Sequence, residues 1–90
     1  MKFSRKKAAA IRYDSNIDRA PTLVAKGQGV VADKIIAKAE EHDIHIREDK
    51  DLVEALSTLD LLEEIPEELY KVVALLLAEL YQINNKLSNK

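Results

Sequence analysis

The string Gly27-Gln28-Gly29-Val30-Val31-Ala32 is G-x-G-x-x-A, with Glu48 and Asp49 about twenty residues on, the pattern of a turn that wraps a dinucleotide pyrophosphate. Its context fails, because that fold needs two mononucleotide halves around a large sheet and 90 residues have room for one βαβ unit. The two glycines therefore read as a tight strand-to-helix turn, with a phosphate at the helix N-terminus as the lesser alternative. His42 and His45 are three apart, but one ends a predicted helix and the other lies on a predicted strand, so a shared helical metal geometry is lost. With no cysteine in the chain, further ligands could come only from carboxylates. The pair reads instead as a His42 that suits a helix C-terminus and a solvated His45. Glu63-Glu64 and Glu67-Glu68 could do acid/base work only in a cleft that raises a carboxyl pKa, and their flanks read as a solvated helix entry. No nucleophile elbow or Walker loop occurs. No catalytic residue, cofactor or metal site is assigned, and a non-enzymatic role is expected.

The composition sets the scale of what positions these residues. Apolar residues make up 47% and charged residues 33%, which fits a packed core and argues against disorder. One domain of this size has a small core and little room for a deep active site. The absence of cysteine leaves the redox compartment open. The basic start is interrupted at Arg12 before a signal-like apolar stretch develops, so no export signal is expected. The longest apolar run, residues 72–78, is about a third of the roughly 20 residues a membrane span requires, and a cytoplasmic location is the default. Residues 1–12 hold Lys2, Arg5, Lys6, Lys7 and Arg12 and no acid, leaving nine bases against sixteen acids over the rest. A basic arm thus precedes an acidic body. The arm could bind nucleic acid or anionic lipid by counterion release, but Phe3 is its one aromatic and no stacking platform follows.

The expected fold is α/β: a small mixed sheet of about three strands with a βαβ unit and three helices packed on it. Residues 8–13 read as a first strand and residues 22–26, opened by Pro21 and closed by Gly27, as a second. From 30 to 42 the positions Val31, Ile35 and Ala39, flanked by Ala32 and Ile36, spell an amphipathic helix. Ile44-His45-Ile46-Arg47 alternates, predicting a third strand with the isoleucines inward, parallel to the second through a right-handed crossover. Leu52, Val53, Leu56 and Leu59 make a helix over 50–59. Pro66 at a first helical position opens the last helix, whose main stripe is Leu69, Val72, Val73, Leu76, Leu80 and Ile83. A second stripe, Tyr70, Ala74, Leu77 and Tyr81, widens the apolar face beyond what docking on one core needs. Boundaries fall at a flexible basic arm (1–7), one domain (8–86) and a tail (87–90).

In this order the residues resemble a known family, the cytoplasmic C-terminal domain of the FlhB/YscU-like switch proteins of flagellar and type III secretion. The likeness covers roughly residues 8–83. It is carried by Ala10-Ile11-Arg12-Tyr13-Asp14, by Ala20-Pro21 with Val24-Ala25-Lys26-Gly27, by the helix after Gly29, by Leu52 through Leu56, and by Ile65-Pro66-Glu67-Glu68-Leu69-Tyr70. Family members carry an Asn-Pro-Thr-His self-cleavage motif just upstream. Its four positions correspond here to Phe3, Ser4, Arg5 and Lys6, with no Asn to cyclise, so self-cleavage is not expected. The transmembrane helices of full-length members are missing too, and the chain resembles the released fragment made as a separate protein.

The resemblance implies a shallow apolar surface for early export substrates, at Ala20 and Pro21 and at Ala74 and Leu77. The last two belong to the second stripe and could equally be ordinary core. It also implies that residues 7–13 present an unpaired edge open to a partner strand or a second copy, unless lysines guard it. The leading expectation is a non-enzymatic interaction module of protein export, binding export-apparatus components or cargo, located in the cytoplasm or at the cytoplasmic face of the membrane export gate. The alternative is a repurposed domain that binds nucleic acid or a regulator through the basic arm.

Overall fold

Ala8 and Ala10 on one strand and Ala25 and Gly27 on its neighbour are small residues facing one way, and their size decides how the first layer stacks. The structure, a computed structural model, describes residues 6–14 and 16–88, with side chains through residue 83. Strand β1 (Lys7–Arg12) and strand β2 (Thr22–Gln28) run antiparallel, with Ala8 opposite Gly27 and Ala10 opposite Ala25. Helix α1 (Val30–Glu41) lies on that small-residue face, close enough to bury Ala32 completely. A Cβ on Gly27 would overlap the Val31 side chain. The inward side of α1 is Ala32 with Ile35, Ile36 and Ala39, whereas Val31, expected on the buried stripe, is half exposed.

The opposite face of the sheet carries Ala9, Ile11 and Leu23, and the core forms there. Between Ala10 and Ile11 the register slips, so that Ile11 faces Leu23 and Val24 is left without a partner as a bulge. Leu23, Leu52, Leu56, Leu59, Ile65 and Val73 make the buried cluster, and Leu69, Val72, Leu76 and Leu77 pack against it. They come from β2, helix α2 (Lys50–Leu56), the connection after it, and helix α3 (Tyr70–Ser88), which follows a 3-10 turn at Glu67–Leu69. Pro66 is extended, with ψ 151°, so it precedes the turn instead of occupying a first helical position. Asp49 caps α2 by accepting from the Leu52 N–H at 3.0 Å. At its other end the Ser57 and Thr58 hydroxyls donate to the carbonyls of Glu54 and Ala55, and the helix stops at Leu56 instead of 59. Leu59 is buried all the same, from the turn that follows.

The fold is α/β with three helices, as expected, but the sheet has two strands. Residues 44–47 form no strand, and the parallel βαβ pairing is absent among the described residues. The second edge of β2 is already taken by the acidic stretch before Pro66. Leu23 N–H donates to the Glu63 carbonyl at 3.0 Å, Leu62 N–H to Leu23 O at 2.6 Å and Ile65 N–H to Pro21 O at 2.8 Å, around an isolated bridge between Thr22 and Glu64. Residues 44–47 are also turned the other way from the expectation. His45 Nε2 lies 3.0 Å from Glu79 Oε1 and Arg47 Nη1 donates to Glu79 Oε2 at 2.8 Å, while Ile44 and Ile46 face solvent. The His45–Glu79 hydrogen-bonding contact and the Arg47–Glu79 ion pair tether this segment to α3 in place of a strand ladder.

Candidate functional site

The four positions expected to form an apolar docking surface differ widely in exposure. Ala20 is 5% exposed, Pro21 and Leu77 are half-buried, and Ala74 is exposed on α3. Pro21 reaches the core through its carbonyl, which accepts from Ile65, and Leu77 packs directly on the cluster that contains Ile65. Both segments thus border one patch of core, with Ala74 one helical turn before Leu77 at its rim. Their neighbours on the second stripe, Tyr70 and Tyr81, are also exposed. Main-stripe positions Val72, Val73 and Leu76 are covered, while Ile83 is partly open. Periodicity separates the two stripes, and only packing shows which one is left uncovered.

Of the two glycines expected to make the turn, only Gly29 does so; Gly27 lies within β2, paired with Ala8. Gly29 caps α1 with φ 61° and ψ −123°, a conformation open to glycine, and its N–H donates to the Lys6 carbonyl at 2.8 Å. That N–H is spent on the chain itself, and Asp33 in the first turn of α1 pairs with Lys6 at 3.5 Å. An anion there would meet an acid and an occupied donor. His42 caps the other end of α1 and is exposed, while His45 has turned to Glu79. Among the described residues no group of three or more His, Cys, Asp or Glu is placed to hold a metal.

Of the basic arm and lost-motif positions, Phe3, Ser4 and Arg5 lie outside the described residues, as do Met1, Lys2 and, in the tail, Asn89 and Lys90. Lys7 is the first residue of β1, paired with Gln28, and its ammonium donates to Glu54 Oε2 at 3.0 Å. At the other end Arg12 grips Asp18 through Nη2 at 2.9 Å and Nε at 3.3 Å. Those bonds, with the Asp14 N–H donating to the same carboxylate, hold the Asp18 pKa below its ordinary value. Among the described residues no strand pairs with the second edge of β1. The two basic side chains on β1 itself, Lys7 and Arg12, are each paired with an acid of the same chain.

Two features had no signal in the sequence. Lys26, on the core face of β2, donates from Nζ to the carbonyls of Leu59 at 2.6 Å and Ser57 at 3.3 Å, closing the end of α2 with a positive charge. Leu62 sits at φ 70° and is 73% exposed. No helix among the described residues is long and apolar enough to cross a membrane.

Comparison with known proteins shows the family of the chain. Residues 5–80 match the family model described as the FlhB HrpN YscU SpaS family. The chain is 40% identical over 85 residues to the uncharacterized protein YlqH of Bacillus subtilis, covering 94% of this chain and 91% of that one. It is 39% identical over 80 residues to the flagellar biosynthetic protein FlhB of Bacillus subtilis, covering 88% of this chain and 22% of FlhB. Against FlhB of Salmonella typhimurium the identity is 36% over 77 residues, 84% of this chain and 20% of that protein. The chain therefore spans about a fifth of the FlhB relatives and nearly all of YlqH. With a family match over most of its length, and a relative 40% identical over more than nine-tenths of both chains, the chain belongs to the FlhB HrpN YscU SpaS family.

Proposed function

We propose that this chain is a non-catalytic interaction module of flagellar or type III protein export, acting in the cytoplasm or at the cytoplasmic face of the export gate. It stands in for the cytoplasmic fragment of the switch protein and binds export-apparatus components or cargo. The observation that carries this reading is the exposed face of α3, where Ala74 and the two tyrosines lie open on the same stripe as the half-buried Leu77. An apolar stripe left open beside the core is a surface that a partner's apolar residues can cover. Ala74 is the accessible centre, Leu77 and Pro21 form the floor, and Ala20 supports Pro21 from within. The FlhB relatives supply the export context. The edge of β1 that no strand among the described residues pairs with is a second place for contact, where the strand of a further copy can add to the sheet.

The test is complementation in cells whose flagellar switch protein is truncated before its Asn-Pro-Thr-His motif, with secretion of hook-type and filament-type subunits assayed. The chain should restore export of at least one class. Ala74→Glu should abolish the rescue while leaving the circular dichroism spectrum and melting temperature unchanged, because the position is solvent-facing and glutamate is a good helix former. No rescue by the folded, abundant parent chain would remove the export role, and rescue by Ala74→Glu would remove this surface from it.

A further inference from the structure

Two segments far apart in the chain, 48–52 and 67–72, meet around a cleft whose floor is apolar and whose flanks are acidic. Asp49 caps α2, and Leu52 in its first turn is buried. Leu69 and Val72, on one side of the start of α3, pack against the same cluster as Leu52. Asp49, Asp51, Leu52, Leu69 and Val72 together line an open cleft of about 280 Å³. Its shape is held from the side, because Glu79, two turns beyond Val72 on α3, binds His45 and Arg47 and so keeps the chain that enters α2 alongside α3.

These segments carry Glu48, Asp49, Asp51, Glu67 and Glu68 against Lys50 and Lys71. Asp18, Asp33, Glu54, Glu64 and Glu79 each face a base of this chain, whereas among the described residues none of the acids around the cleft does. Carboxylates gathered without counter-charges repel one another, and a cation held among them relieves that repulsion. Floor and flanks therefore favour different parts of one occupant: an apolar side chain on Leu52, Leu69 and Val72, and basic groups on either side of it. Among the described residues no three His, Cys, Asp or Glu are placed to hold a metal ion, so a cation alone is a poor fit. Nucleic acid and anionic lipid carry the wrong sign. The volume also falls short of the roughly 300–1,000 Å³ of sites that enclose a small molecule, and suits a single anchoring side chain.

We propose that this cleft binds a basic peptide segment of a partner protein, with one large apolar side chain seated on Leu52, Leu69 and Val72 and the flanking lysines or arginines held by Asp51, Glu68 and the acids beside them. Apolar burial supplies the anchor, and charge complementarity supplies the selection and a dependence on salt. Val72 and Ala74 lie on nearly opposite sides of α3, so this site is separate from the Ala74 stripe and does not rest on the export reading.

The test is an NMR titration of the intact chain with two synthetic peptides, Lys-Lys-Leu-Lys-Lys and Lys-Lys-Gly-Lys-Lys, at about 50 mM salt. The leucine peptide should shift the amides of residues 48–52 and 67–72 with a Kd of about 1 mM or tighter, and the glycine peptide should bind at least about fivefold more weakly. Asp51→Lys and, separately, Glu68→Lys should each weaken the leucine peptide at least about fivefold with the circular dichroism spectrum unchanged, because both positions are exposed. Asp60→Lys, an exposed acid beyond the opposite end of α2, should leave the affinity as it is. Absence of these shifts at about 5 mM leucine peptide overturns the proposal. Equal binding of the glycine peptide overturns it too, since counter-charge alone would then account for the contact. So does binding that Asp51→Lys and Glu68→Lys both leave intact, which would place the peptide elsewhere on the acidic body. Binding that appears only in the double variant Lys2→Glu with Arg5→Glu would make the chain's own basic start the occupant and overturn it equally.

Discussion

Asp18 shows how a single exposed ion pair is tied to acidity. Its carboxylate accepts from both Arg12 nitrogens and from the Asp14 N–H, and its pKa is lowered, chiefly by the Arg12 hydrogen bond. A carboxylate whose folded pKa lies below its unfolded value stabilises the fold above the unfolded value, and that stabilisation is lost as pH falls through the folded value. The contribution is therefore present at neutral pH and fades below about pH 4. Asp18→Asn should lower the melting temperature near neutrality, and the gap to the parent should narrow as falling pH protonates the carboxylate, read by thermal melts across the acid range. A gap independent of pH would mean that the carboxylate's charge has no part in it. None of this was legible in the sequence, where Arg12 belonged to a basic arm and Asp18 carried no signal; a bond between residues six apart depends on how the chain turns between them. Lys26 is a similar case, since its two carbonyl acceptors lie more than thirty residues downstream.

At the scale of elements, the strand-to-helix turn is where local chemistry is most decisive. Gly29 has a conformation that side chains rarely adopt, and Gly27 lies where a Cβ would strike Val31. Gly29→Ala should cost about 1–3 kcal/mol through backbone strain, and Gly27→Ala a comparable amount through overpacking against α1, both read from urea denaturation midpoints. An unchanged midpoint for either would show that the turn relaxes more freely than its geometry suggests. The turn reading rested on the string's place between a predicted strand and helix, and it holds for Gly29, while Gly27 belongs to the last residues of β2. The strand expected at 44–47 failed for a different reason. Alternation describes which residues could face inward on a sheet, but a strand also needs a free edge, and the edge of β2 is held by Leu62 to Ile65. The acid-rich sequence there gave no β signal, and the alternating Ile44 and Ile46 were left outside.

Across the whole molecule, one small cluster carries the packing. Leu23 is fully buried, faces Ile11 across the sheet, and its backbone bonds both to Leu62 and to Glu63. Leu23→Ala should cost about 2–5 kcal/mol, a large share of the about 5–15 kcal/mol that holds a typical domain. Chemical denaturation should show the variant partly unfolded at room temperature or shifted to a much lower midpoint. An undiminished midpoint would mean that the cluster is not the seat of stability. The sequence by itself determined the α/β class, three helices and two strands within a few residues, the glycine turn and the family, because each is written in periodicity, capping residues or motif order over short stretches. Tertiary structure alone decided which face of α3 stays open, which segment takes the second edge of β2, where His45 and Arg47 point, and that Leu62 stands strained and exposed. Those outcomes depend on competition among segments far apart in the chain for the same core and the same backbone edge, and only the folded arrangement shows which segment won.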